Sequence, residues 1–192
     1  MGKMQMKSQG FTLVELVITL AIMGILASIA VPGFIDLIHD NRTATQANKL
    51  IASIQLARSE AAKQGVQVTI KNNGNTDNQW EEGWIVFTDW NNNGVYDDAT
   101  NCDLEKDCLI RIQDALDANL TLRTTGNITN WLTYNPSGGF AYNSLRFPQP
   151  DESTALGSFS LCALNGDTTN ARTTVFSNTG RPSTEKGAPS CP

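Results

Sequence analysis

The stretch Gly10-Phe11-Thr12-Leu13-Val14-Glu15-Leu16 opens a long apolar segment. It follows a short leader that carries Lys3 and Lys7, and the apolar residues continue to Val31. A helix of about 21 residues crosses roughly 30 Å of hydrocarbon, so this segment is long enough to span a membrane, with the basic leader on the cytoplasmic side. Glu15 interrupts the run, and it needs a partner or a function because an isolated carboxylate is costly in a bilayer.

This junction resembles the class III leader of type IV pilins and of type II secretion pseudopilins. The resemblance implies that a prepilin peptidase cleaves between Gly10 and Phe11 and methylates the new N-terminus, so that Phe11 becomes an N-methylphenylalanine. It also implies an assembly role for Glu15, whose carboxylate would pair with the new amine of Phe11 on a neighbouring subunit. The expected location is the bacterial inner membrane, as a single-pass protein with its head in the periplasm, and then the pilus.

Two other interpretations of the apolar segment remain open. An ordinary secretory signal peptide would be cleaved after the small residues Ser28-Ile29-Ala30, which would release a soluble protein that begins at Val31. A plain single-pass anchor is the second alternative. The signal-peptide interpretation leaves Glu15 without a function.

The helical pattern continues past the apolar segment. Pro32 and Gly33 predict a kink rather than a stop, because apolar residues resume at three- and four-residue spacing from Phe34. Gly65 is the expected C-terminal cap. These boundaries predict a leader at residues 1–10, a membrane and filament-core half of the helix at 11–33, an amphipathic half at 34–65 and a β-rich head at 66–192. The apolar positions expected to face the head are Phe34, Leu37, Ile38, Ala44, Ala47, Leu50, Ile51, Ile54, Ala57 and Ala61.

The periodicity changes to that of strands after the helix. Apolar alternation and turn residues predict strands at 66–70, 83–89, 109–112, 120–123, 157–162 and 173–177. We therefore expect an α+β fold in which the second half of the helix covers an antiparallel sheet. Together with the resemblance of the leader, this arrangement implies the pilin fold: a long kinked N-terminal helix packed on an antiparallel head that ends in a disulfide-closed loop.

The segment from Trp80 to Asp97 carries a distinctive motif, W-E-E-G-W-I-V-F-T-D-W-N-N-N-G-V-Y-D. It resembles the signature hairpin of the GspH/FimT family of minor pilins and pseudopilins. Its Asn and Gly residues suit a tight hairpin turn. Part of it, from Asp89 to Asp97, also imitates the start of a calcium-binding loop, although Thr100 stands where such a loop needs a bidentate acid. We expect a structural hairpin and no metal.

The four cysteines all lie beyond residue 100, and an even number in an exported domain predicts disulfides. Four cysteines allow three connectivities. We expect Cys102–Cys108, which would close a short acidic loop, and Cys162–Cys191, which would fix the C-terminal segment to the sheet.

Charge and residue types argue against catalysis and against a general nucleic-acid binder. Loss of Lys3 and Lys7 with the leader would change the formal net charge from −5 to −7. His39 is the only histidine, and no nucleophile with a neighbouring base is recognisable. We expect no enzyme activity, no cofactor and no small-molecule substrate.

Within the GspH/FimT family some members take up DNA through a basic C-terminal Gly-Arg-x-Arg motif. This chain has Gly180-Arg181-Pro182-Ser183, which lacks the second arginine, so Arg172, Arg181 and Lys186 are only weak candidates for DNA contacts. The resemblance implies a minor type IV pilin of a tip complex, which primes pilus assembly for twitching motility and joins other minor pilins to the major pilin. The alternatives are a DNA-uptake minor pilin and a minor pseudopilin of type II secretion.

Overall fold

In a computed structural model, the described part of the chain contains one helix and eight strands. The structure describes residues 10–74, 76–97, 106–141, 157–164, 166–177, 179–188 and 190–191. The chain divides into two compact units, residues 1–39 and 40–192. The elements are α1 (Leu13–Gln64), β1 (Val68–Asn72), β2 (Trp84–Thr88), β3 (Leu109–Gln113), β4 (Leu120–Thr125), β5 (Trp131–Tyr134), β6 (Ser158–Ala163), β7 (Arg172–Phe176) and β8 (Pro182–Lys186).

In the first unit, α1 presents its apolar side chains to the surroundings on every side. The large apolar residues from Leu13 to Ile38 are each about half exposed or more. By length and composition this part of the helix is able to cross a membrane. The helix continues through Pro32 and Gly33, as predicted. The kink itself stays a prediction.

In the second unit, α1 packs along one face. Its buried positions recur at three- and four-residue spacing, as expected for a helix that covers a core. They are Thr43, Ala47, Leu50, Ser53, Ile54, Ala57 and Ala61. The predicted stripe began too early, because Phe34, Leu37 and Ile38 are exposed. Gly65 has a φ of 72° and its N–H donates to the carbonyl of Ala61 at 3.0 Å, which confirms the predicted cap.

The head contains two four-stranded antiparallel sheets where the sequence predicted one. The first has the order β3-β2-β1-β5 and the second has the order β4-β6-β7-β8. Two strands escaped prediction. Strand β5 is only four residues long and fully buried, and β8 is a polar edge strand that begins with a proline.

The core lies where α1 and both sheets meet. Trp80 connects the sheets: its ring packs edge-on against Phe159 of β6, with the centroids 4.9 Å apart. Its indole N–H donates to the carbonyl of Thr129 at 2.7 Å, so the buried polar atom is satisfied. Helix residues Leu50 and Ile54 are fully buried in the same cluster. The helix is therefore an integral layer of the head.

The C-terminal segment is tied to the second sheet by the Cys162–Cys191 disulfide, as predicted. Cys162 lies on β6 and is fully buried. Cys102 lies outside the described residues, so the bridge from Cys102 to Cys108 stays a prediction.

Candidate assembly site

The start of α1 is organised by Thr12 and Glu15. The backbone N–H and the hydroxyl of Thr12 both donate to Oε2 of Glu15 at 2.9 Å. In return, the N–H of Glu15 donates to the hydroxyl oxygen of Thr12 at 3.3 Å. This reciprocal arrangement is a capping box, in which two side chains satisfy backbone donors that have no partner inside the helix.

The capping box was not predicted from the sequence, although the Thr-x-x-Glu spacing indicates it. Gly10 and Phe11 precede the helix and are exposed, with Phe11 77% exposed. The predicted cleavage bond thus lies in non-helical, exposed chain just before the first helical turn. Cleavage and methylation there stay predictions, as does the assembly role of Glu15.

The Trp80–Asp97 motif has a structural explanation in two buried carboxylates. Asp89 follows β2 and accepts hydrogen bonds from the N–H groups of Asn93 and Gly94 and from the hydroxyl of Thr69, at 2.9–3.1 Å. Asp107 accepts from the N–H groups of Trp90 and Asp97 at 3.0 and 3.1 Å. The two side chains therefore hold the Asn-rich loop from inside the head.

The prediction of a tight hairpin turn for this loop is wrong. Strand β2 does pair with β3, but residues 89–108 separate the two strands. Burial raises the pKa of Asp89, and the nearby charge of Asp107 acts in the same direction. Within the described residues no group of three or more His, Cys, Asp or Glu side chains is arranged to hold a metal ion.

The three weak DNA-contact candidates do not form one surface. Arg172 and Lys186 lie side by side on β7 and β8, and both contact the carboxylate of Asp40 on α1, at 2.7 and 3.4 Å. The hydrogen bond from Arg172 holds the pKa of Asp40 below its usual value. Arg181 lies at the other end of the β7–β8 hairpin, where it is exposed. Two of the three cations are thus already engaged by a carboxylate.

Comparison with known proteins points to one family. Residues 46–180 match the family described as type II transport protein GspH, and residues 5–31 match the prokaryotic N-terminal methylation motif. No curated protein matches the chain.

The structure is similar to the type IV minor pilin FimU of Pseudomonas aeruginosa strain PAO1 in two crystal forms. One form gives a TM-score of 0.53 at 25% identity, and the match covers 77% of this chain and 98% of the FimU chain in that crystal. The other gives 0.55 at 26% identity and covers 79% and 96%. The long N-terminal helix, the antiparallel head and the C-terminal disulfide are thus features of a pilin fold, whose members are structural subunits that associate with other pilins.

Proposed function

This chain belongs to the GspH family, and from that premise we propose that it is a FimU-type minor type IV pilin of a pilus tip complex. In this role it primes pilus assembly and joins other minor pilins to the major pilin. The observation that carries the proposal is the order of the two matches, an N-terminal methylation motif followed by a GspH head on one continuous helix.

The exposed apolar surface of residues 13–38 supports this role. Side chains of this kind are stable in lipid before assembly and against the helices of other subunits after it. The sequence of steps is therefore insertion into the inner membrane with the head in the periplasm, cleavage after Gly10 and methylation of Phe11 by the prepilin peptidase, and transfer into the filament.

The hydrogen bonds of Glu15 are consistent with an interaction between its carboxylate and a neighbouring subunit. Both hydrogen bonds from Thr12 reach Oε2, and among the described residues Oε1 of Glu15 accepts none. The capping box therefore fixes the carboxylate at the first turn while one oxygen stays available. Cleavage after Gly10 gives Phe11 of an adjacent subunit a positively charged amine, which is a suitable partner for that oxygen.

The N-terminal peptide of the protein from its native membrane tests the processing step. We expect mass spectrometry to find an N-methylated peptide that begins at Phe11. A peptide that begins at Val31 would identify a released soluble protein and would overturn the filament proposal.

Two variants of Glu15 separate capping from pairing. Glu15→Gln keeps an acceptor for the capping box but removes the charge, whereas Glu15→Ala removes both. If the carboxylate pairs with the amine of a neighbour, both variants will be exported but depleted about tenfold or more from sheared pili, measured by immunoblot against the membrane fraction. Wild-type abundance of Glu15→Gln in pili would show that only the cap matters.

The family also serves type II secretion, so the system must be identified in cells. Deletion of the gene is expected to reduce surface pili and twitching motility and to leave protein secretion and DNA uptake unchanged. Loss of secretion alone would assign the chain to a pseudopilus, and loss of DNA uptake with normal piliation would assign it to competence. The engagement of Arg172 and Lys186 by Asp40 weighs against the DNA role.

A further inference from the structure

A shallow groove, lined by polar and apolar residues, crosses the head between α1 and the β7–β8 hairpin. Its volume is about 400 Å³. One wall is a face of α1 and the other wall is formed by two turns of the head. The lining residues that matter here are Gln55, Arg58 and Ser59 from the helix, Ser137 and Gly138 from the turn after β5, and Arg181 from the hairpin.

The floor of the groove is built with close backbone contacts. Nε of Arg58 donates to the carbonyl of Gly138 at 2.8 Å, and the hydroxyl of Tyr134 donates to the carbonyl of Gly180 at 2.7 Å. A Cβ at Gly138 would lie 3.3 Å from Nε of Arg58, and one at Gly180 would lie 3.1 Å from the ring of Tyr134. Both glycines also have positive φ. The positions of the two turns are therefore fixed by packing.

The groove concentrates positive charge that the head leaves unneutralised. Among the described arginines, Arg42, Arg123 and Arg172 each pair with a carboxylate. Arg58, Arg111 and Arg181 have no such partner within the described residues, and Arg58 and Arg181 both line the groove. Within the described part of the chain, the two guanidinium groups that line this concavity thus have no carboxylate partner, and together they are able to bind carboxylates of another chain.

We propose that this groove binds an acidic segment of a neighbouring pilin subunit. Carboxylates of the segment pair with Arg58 and Arg181, and the side-chain amide of Gln55 provides a further hydrogen-bond donor at the side. This inference rests on the proposed function, because it supplies the partner chemistry of the tip complex.

The charge distribution favours a peptide over nucleic acid. Binding to a phosphate backbone depends on several cations that act together. Here the other candidates on the hairpin, Arg172 and Lys186, share the carboxylate of Asp40. A groove with two cations that have no carboxylate partner among the described residues matches a short run of carboxylates.

The test uses the full-length protein in detergent micelles and a fluorescein-labelled hexaglutamate peptide. Arg181→Gln is the informative variant, because the Arg181 side chain is exposed and its loss leaves the floor of the groove intact. Arg111→Gln is the matched control, since it removes the same charge from an exposed position on β3. We expect fluorescence anisotropy to show about fivefold weaker binding for Arg181→Gln and less than about twofold for Arg111→Gln.

Any one of three results would overturn the inference: that the wild type binds no peptide, that both variants weaken binding equally, or that a labelled twelve-residue thymidine oligonucleotide binds more tightly than the peptide and its binding depends on Arg181. The last result would assign the groove to nucleic acid. Melting temperatures within about 2 °C of the wild type will establish that both variants are folded.

A parallel measurement in cells separates this inference from the proposed function. Arg181→Gln is expected to keep its N-methylated Phe11 and to be several-fold less abundant in sheared pili than Arg111→Gln. If the wild type is absent from pili, the proposed function fails whatever the peptide does. If the wild type is methylated and present in pili but Arg181→Gln binds peptide normally, only the groove inference fails.

Discussion

The two parts of helix α1 differ in what covers their apolar side chains. From Thr43 to Ala61 the buried face is covered by strands of the same chain. From Leu13 to Ile38 the large apolar side chains are exposed, although the segment is the more apolar of the two. Helix propensity does not explain the contrast, since one uninterrupted helix contains both. The difference lies in the environment that each part requires.

This contrast separates folding from assembly. Burial of a large apolar side chain contributes about 1.5–3 kcal/mol, and the second part of α1 gains this when the head folds. The first part gains it only from lipid or from other helices. Substitutions in the second part should therefore change the stability of the isolated protein, whereas substitutions in the first part should change membrane insertion or filament formation.

The largest expected difference in stability is between the same substitution, Ile to Ala, made in each of the two parts of α1. Ile54 is fully buried, and Ile54→Ala should lower the free energy of unfolding of the head by about 3 kcal/mol. Ile25 is 63% exposed, and Ile25→Ala should change it by less than about 0.5 kcal/mol. Urea titration of the full-length protein in detergent, followed by the fluorescence of buried Trp80 and Trp84, measures both. Equal losses would contradict the division of the helix.

A smaller effect is expected at the Asn-rich loop, which shows how polar groups complete the head. Asp89→Ala leaves the N–H of Gly94 without its acceptor and removes one of two hydrogen-bond partners from the N–H of Asn93 and the hydroxyl of Thr69, so the head should lose about 1–3 kcal/mol. The same urea titration measures this. We expect a calcium chelator to leave the wild-type melting temperature unchanged, and a drop on chelation would support the calcium-loop interpretation instead.

The smallest effect on stability is expected at Asp40, the residue of α1 that pairs with Arg172 and Lys186 of the head. The pKa of Asp40 is lowered in the folded state, so its carboxylate stabilises the head above the ordinary aspartate pKa. That contribution is lost as the pH falls through the folded-state pKa. Asp40→Asn should therefore be destabilising at pH 7 and less destabilising at about pH 3.

Asp36→Asn is the control for that measurement, because Asp36 lies one turn earlier on the exposed part of the helix. It should have no effect on urea unfolding at either pH. An equal loss of stability in both variants at pH 7 would show that Asp40 acts through general charge rather than through Arg172 and Lys186.

Local sequence signals predicted the elements better than their arrangement. The helix, its cap at Gly65 and six strands follow from periodicity, glycine and apolar alternation. The division into two sheets depends on pairings between distant segments, such as β1 with β5, which no local pattern encodes. Strand β8 was missed because its residues after Pro182 are polar and exposed, so it shows no alternation.

The candidate sites were predictable to a similar extent. The leader junction stands out because a carboxylate interrupts an apolar run, and resemblance then gives Gly10, Phe11 and Glu15 their proposed roles. The engagement of Arg172 was not predictable, because Asp40 lies 132 residues away in the chain. The proposed partner groove has the same origin: Arg58 and Arg181 meet only through the fold.

The position of β1 has a mechanical consequence. This strand follows α1 after the cap at Gly65, and it is paired on both sides, with β2 and with β5. Tension along the helix that exceeds what its packed face from Thr43 to Ala61 resists is therefore passed to an interior strand. Release of that strand requires two hydrogen-bonded ladders to break, whereas an edge strand would be released by the loss of one. A subunit pulled by its helix is thus loaded at a strand that backbone hydrogen bonds hold on both sides.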